Sequence, residues 1–363
     1  MKTIHFIILF CTGTIFSTIH GQNQSITIPF TEKHWKFAEN AVHRFEVFEN
    51  METLVLNGKA SVKNISMENG SIEVAVYATQ KRSFAGIVFR KQGETMEEVY
   101  IRNHKSGQPD AVQYAPIYNG EGNWQLYREH QAHVFFEREG WNHLKLVFNQ
   151  QHVAVWLNDQ KILEVDGLKT ENNIGEIGLF SLFENRFANF KYQENTTHTI
   201  VKERTKPNSG TSLITEWNLS EAYLYAPEQD KNIDFNGLVY KSVPTEPSGL
   251  LPISKYLMKP SFGNFEANEE VYAVVATNIM ADVKKRVKFS FDYSDKIVVF
   301  LNGTIVFEGN NAFLSKGPQF QGHLGITANT IYLDLDAGEN TLHCMVIDKA
   351  NGWGIIGGIE ELN

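Results

Sequence analysis

Between Gly86 and Tyr127 the chain concentrates side chains that can bind a ligand or move a proton. Glu98-Val99-Tyr100-Ile101-Arg102 alternates, so Val99 and Ile101 share one face of a strand while Glu98, Tyr100 and Arg102 share the other. A polar loop follows with Arg102, His104, Lys105, Asp110 and Gln113, then the aromatic residues Tyr114, Tyr118, Trp124 and Tyr127. Cations, a carboxylate and an amide supply directional hydrogen bonds, and flat rings offer planes on which a pyranose can stack. The ligand-binding set predicted here is Arg102, His104, Asp110, Gln113, Tyr118 and Trp124, with Trp124 as a plain core residue the competing reading.

Other chemistries find less support. Twelve histidines are present, but no H-E-x-x-H spacing, and His130 and His133 point to opposite faces unless a helix carries them. Asp292, Asp295, Asp334 and Asp336 could supply oxygen ligands for calcium; no other cofactor is expected. There is no Gly-rich phosphate loop, no Ser nucleophile elbow and no basic patch with interleaved aromatics. A net charge of -9 gives no electrostatic reason to expect nucleic acid as a partner.

Short strands must position these groups. From Phe45 onward alternating segments are separated by turn residues, as in Ser71–Thr79 and Leu144–Phe148. Asn57-Gly58 and Asn302-Gly303 read as hairpin turns. Such spacing predicts an all-β protein of two antiparallel β-sandwich (jelly-roll) domains. The first is expected over residues 25–193, a polar linker over 194–212, and the second over 213–363, with 232–265 a long loop wrapping it. Lys2, the apolar run Ile4–Phe16 and the small or polar residues to Gly21 read as a signal peptide over 1–21, and no other segment is apolar enough to span a membrane. The expected location is therefore secreted, periplasmic or at the cell surface. Cys11 leaves with the leader, so Cys344, in an apolar strand, is the only thiol of the mature chain.

Several runs resemble known families. Trp141–Phe148, Val153–Asn158, Ile174–Leu179 and Phe187–Phe190, with the GIVFR and EEVYIR strands, resemble the concanavalin A-like lectin/glucanase superfamily, more narrowly its laminin-G-like domains. Phe291–Gly303, Leu335–Leu342 and Asn351–Ile355 are similar to galactose-binding-like jelly-roll modules of secreted carbohydrate-active proteins. The glucanase likeness implies an E-x-D-x-x-E strand, yet Glu164-Val165-Asp166 is followed by Lys169 where the third acid belongs, which removes that catalytic set. A likeness to the 3-keto-glycoside hydrolase-like domains places Arg90 and Glu98 where an arginine strand and an acid are expected. It implies Glu98 as acid or base, with Arg90 and Arg102 holding substrate; the rival reading is a surface ion pair between Arg90 and Glu98. The expectation is a secreted protein that binds a polysaccharide or glycoconjugate without catalysis. Its alternatives are a glycoside-cleaving enzyme using Glu98, or a cell-surface protein-interaction module.

Overall fold

The computed structural model describes residues 25–194, 212–226, 233–259 and 268–362. The signal peptide expected over 1–21 and linker residues 195–211 lie outside the described residues. The chain is all-β, built from curled antiparallel sheets. No helix among the described residues is long and apolar enough to cross a membrane.

Alternation explains the layers. In strand Gly70–Ala78, Ile72, Val74 and Val76 are fully buried and lie opposite Leu146, Leu144 and Asn142 of strand Gly140–Asn149. Each buried aliphatic side chain stabilises this core by about 1.5–3 kcal/mol. The strands between Ile26 and Glu194 form one 14-stranded sheet folded onto itself around Trp35, Leu54, Ile87, Val99, Tyr114 and Phe187.

Two long strands, Met51–Met67 and Gly175–Glu194, belong to both layers. Residues 176–182 pair with strand Phe84–Gln92, whereas 186–194 pair with Gly70–Ala78. The bend in Met51–Met67 falls at Gly58, whose φ is 125° and where an added Cβ would lie 2.8 Å from Ala41. Asn57-Gly58 is thus a corner inside a strand, not the expected hairpin turn. The hairpin turns earlier, at Glu49 and Asn50, both at positive φ.

The described residues between 212 and 361 form a five-stranded and a seven-stranded sheet that enclose Trp217, Phe289, Phe291, Val299, Cys344 and Trp353. Asn302-Gly303 does turn a hairpin, joining Lys296–Leu301 to Thr304–Asn310 with both residues at positive φ. Cys344 is a free, buried thiol, and burial holds its pKa well above the ordinary range. The expected long loop over 232–265 instead includes strands Lys241–Pro244 and Leu250–Pro252 and the short helix Ile253–Tyr256. Pro244 and Pro252 stand at the ends of those strands, where a missing N–H is tolerated.

The two sandwiches meet at the segment after strand Val112–Tyr118. Tyr127 donates to Glu246 at 2.6 Å, Ser254 to Asn123 at 2.6 Å, and Asn119 to the Ser254 carbonyl at 2.9 Å. Lys259 bridges Glu121 at 3.1 Å and also pairs with the buried Asp348. Leu126, Tyr127, Leu250 and Leu324 form an apolar cluster across the join.

Candidate functional site

Residues paired across antiparallel strands point to the same side of a sheet. Val99 and Ile101 face the core, so Glu98, Tyr100 and Arg102 occupy the outer face of the first layer. One cross-strand row there reads Lys59, Phe180, Gly86, Tyr100, Gln113 and Gln131. The next row reads Ser61, Gly178, Val88, Glu98 and Ala115. Leu182, Phe84 and Arg102 form a third on the other flank of the Tyr100 row. Rows lie two residues apart along a strand, about 7 Å.

Glu98 has Val88 and Ala115 as its cross-strand neighbours, with the small residues Gly178 and Ser61 beyond Val88, while Phe180 and Tyr100 stand in the adjacent row. Gly86 lies between those two rings; a Cβ there would fall 2.0 Å from the Val99 carbonyl oxygen and 2.6 Å from the Tyr100 Cβ. Tyr100 meets Phe180 edge-on at 5.7 Å and Phe84 at 6.0 Å. The result is a floor in which the acid is buried, with aromatic edges beside it.

Glu98 is 3% exposed, and its Oε1 has no hydrogen-bond partner. Burial raises its pKa to about 7, against a smaller opposing pull from the Lys59 ammonium. A carboxyl with that pKa exchanges its proton near neutrality, which suits general acid–base work. The neighbouring Tyr100 hydroxyl is pushed up to about 12, chiefly by burial, and stays protonated.

Arg102 organises one end of the face. Its guanidinium donates to the Asp110 carbonyl at 2.7 Å and to Gln113 Oε1 at 3.2 Å, and lies 5.4 Å from the Trp124 ring centroid. Gln131 donates to the same Gln113 oxygen at 2.7 Å. The Asp110 carboxylate pairs with Lys105, which with Arg102 holds its pKa low despite the opposing, larger effect of burial. Arg102, Gln113, Asp110 and Trp124 are therefore brought together. His104 stands near them, half-buried, edge-on to Phe84 at 5.5 Å, with its pKa lowered mainly by burial.

Two predicted residues lie elsewhere. Tyr118 is five residues from Gln113 on one strand and so faces the opposite side; it is buried and donates to the Lys169 carbonyl at 2.8 Å. Arg90 makes no ion pair with Glu98. A bulge between Phe89 and Gln92, with Arg90 at φ 50°, turns its side chain coreward. There it donates to the carbonyls of Glu68 and Gln150 and lies against Phe148.

The aspartates considered for calcium do not converge. Asp292 accepts from Tyr293, Asn311, Gly325 and Asn329, and Asp295 from Lys349 and Ala350. Asp334 pairs with Arg286, and Asp336 with Lys284. Among the described residues no three His, Cys, Asp or Glu side chains are grouped to hold a metal ion.

Lys59, Gly86, Phe180 and Gln131 were not singled out from the sequence. Gly86 and Gly178 did leave a signal there: glycine inside an otherwise apolar strand marks a close backbone approach.

The family described as 3-keto-alpha-glucoside-1,2-lyase-like domain matches residues 30–223, more than half of the chain. No curated protein matches. Among solved structures, a carbohydrate-binding module from Bacillus subtilis aligns at 11% identity over 44% of this chain and 92% of its own, with a TM-score of 0.34. A β-glucanase from Bacillus licheniformis aligns at 12% identity over 48% and 99%, with a TM-score of 0.35. A galectin from Caenorhabditis elegans aligns at 10% identity over 46% and 99%, with a TM-score of 0.29.

Proposed function

The chain belongs to the 3-keto-alpha-glucoside-1,2-lyase-like domain family, and from that membership we propose that it cleaves 3-keto-glycosides on the outer face around Glu98. The observation that carries the proposal is the buried, unpartnered Glu98 carboxyl with a pKa near 7. A ketone at C3 acidifies the hydrogen on C2. The Glu98 carboxylate takes that proton, and the electron pair left on C2 forms the C1–C2 double bond as the C1–O bond breaks. The departing oxygen takes a proton from water and the hydroxide so formed takes back the proton held by Glu98, releasing an alcohol and an unsaturated keto sugar and restoring the carboxylate. Lys59, in the adjacent row, offsets the negative charge that develops on the ketone oxygen. Phe180 and Tyr100 border the sugar ring, and Arg102, held by Gln113, stands at the far end.

The test uses methyl 3-keto-α-glucoside, with methyl α-glucoside as the control lacking the acidic hydrogen. Glu98→Gln is expected to lower turnover by about 10²–10⁴-fold while the ketone still binds. For the wild type, kcat/KM should rise by one ionisation to a plateau above pH about 7, because the base must be deprotonated. Undiminished turnover by Glu98→Gln would remove the acid–base role. A second reading, carbohydrate binding without turnover, draws on the rings of Phe84, Tyr100 and Phe180 and the Arg102–Trp124 stack. It expects both glucosides to bind and neither to react.

A further inference from the structure

The row that crosses the outer face does not stop at the edge of the first sandwich. Gln131, its last member, donates through Nε2 to Nε2 of His323 at 3.0 Å. His323 belongs to the segment between strands Thr304–Asn310 and Asn329–Leu335 of the second sandwich. Phe313 of the same segment meets the Trp124 ring edge-on at 5.8 Å, and His323 meets it at 5.5 Å. Trp124, with Arg102 over its ring, is thus packed against two residues from the other sandwich.

This segment is held in place rather than merely laid there. Asp292, buried in the second sandwich, accepts from Asn311 at 2.7 Å, from the Gly325 N–H at 2.9 Å and from Asn329 at 3.0 Å, so it ties both ends and a point between. Gln125 donates to the Gln321 carbonyl at 2.7 Å, and the Leu324 N–H donates to the Gln125 carbonyl at 3.2 Å. His323 is kept neutral, its pKa lowered to about 4 mainly by burial and further by Arg128 and Arg102. Accepting from Gln131 at Nε2 puts its proton on Nδ1, a donor with no hydrogen bond among the described residues.

We propose that the segment 311–328 of the second sandwich forms one wall of the glycoside site on the first, with His323 and Phe313 contacting the group attached at C1, a second sugar ring. This rests on the reading of the Glu98 face as the site where the keto sugar lies. Glu98 and Arg102 are four residues apart on one strand, a span of about 13 Å. A single pyranose over Glu98 leaves the Arg102–Trp124 end unfilled. An aromatic ring, a guanidinium and a neutral imidazole donor at that end suit a second ring with an apolar face and a hydroxylated rim.

The full chain is compared with His323→Ala, His323→Gln and Phe313→Ala, using a 3-keto-disaccharide and methyl 3-keto-α-glucoside as paired probes. In the alanine variants the ratio of KM for the disaccharide to KM for the methyl glycoside should rise about tenfold, the loss of roughly one hydrogen bond or ring contact. His323→Gln, which can keep a donor there, should restore part of the ratio. An unchanged ratio in both alanine variants overturns the proposal, as does an equal loss for both probes, which marks a structural effect. If the wild type binds both probes without turnover, the same ratio is read from Kd; the elimination then fails while the wall stands or falls on its own result. A wild type that binds neither probe overturns both.

Discussion

Glu98 carries a stability penalty together with its proposed task. An unfolded glutamate ionises near 4.5, whereas this one ionises near 7 in the folded protein because burial disfavours its charge. Between those values the folded state holds a proton that the unfolded state has lost. The stabilisation is therefore fully present below pH 4.5, declines as pH rises towards 7, and is gone above it. The size of that change is about 3 kcal/mol. Glu98→Gln has the same shape and no charge to bury. Its stability relative to the wild type should shift in its favour by about that amount between pH 4 and pH 8, read by urea denaturation at both. A pH-independent difference would mean that water reaches the carboxylate. The pairing expected for Arg90 shows how one backbone torsion undoes a reading by alternation. Val88, Arg90 and Glu98 would share a face in regular strands, but a left-handed residue at Arg90 sends the guanidinium to the core.

At the scale of the strand, Gly86 decides how closely the rings beside Glu98 approach. Gly86→Ala places a methyl against the Val99 carbonyl and Tyr100, so the strands must separate or the ring must move. A stability loss of about 1–3 kcal/mol is expected, with weakened binding of methyl 3-keto-α-glucoside; unchanged melting and unchanged KM would show that the floor has room to spare. The strands themselves were legible, since alternation in Gly70–Ala78 and Gly140–Asn149 is what burial of one face requires. Glu98, Arg102, Gln113 and Trp124 could be picked out as groups, but their partners could not. Lys59 and Phe180 reach the face through pairing between strands far apart in sequence, and register is absent from local pattern. Tyr118 is different: its odd separation from Gln113 already put it on the other side, and ring chemistry outweighed parity in that reading. His323 lay beyond any sequence argument, because it depends on how one sandwich sits against the other.

For the whole molecule, the join between the sandwiches contains a buried charge system. Lys259 is nearly inaccessible and is the cation that faces Asp348, which is fully buried, and Glu121 of the first sandwich. Lys259→Met would leave those carboxylates uncompensated, and a loss of about 3–5 kcal/mol is expected in chemical denaturation. A loss below about 1 kcal/mol would show that solvent reaches the pair. The long strand Gly175–Glu194 has a consequence of a different kind, in the order of synthesis. It pairs with Met51–Met67, Gly70–Ala78 and Phe84–Gln92, all of which leave the ribosome well before it. Until residue 194 has emerged, those three strands are without the neighbour that joins the two layers, and their unpaired edges are open to other nascent chains. The first sandwich is thus completed by its last strand, and a chain that ends before Gly175 lacks the element that joins its two layers.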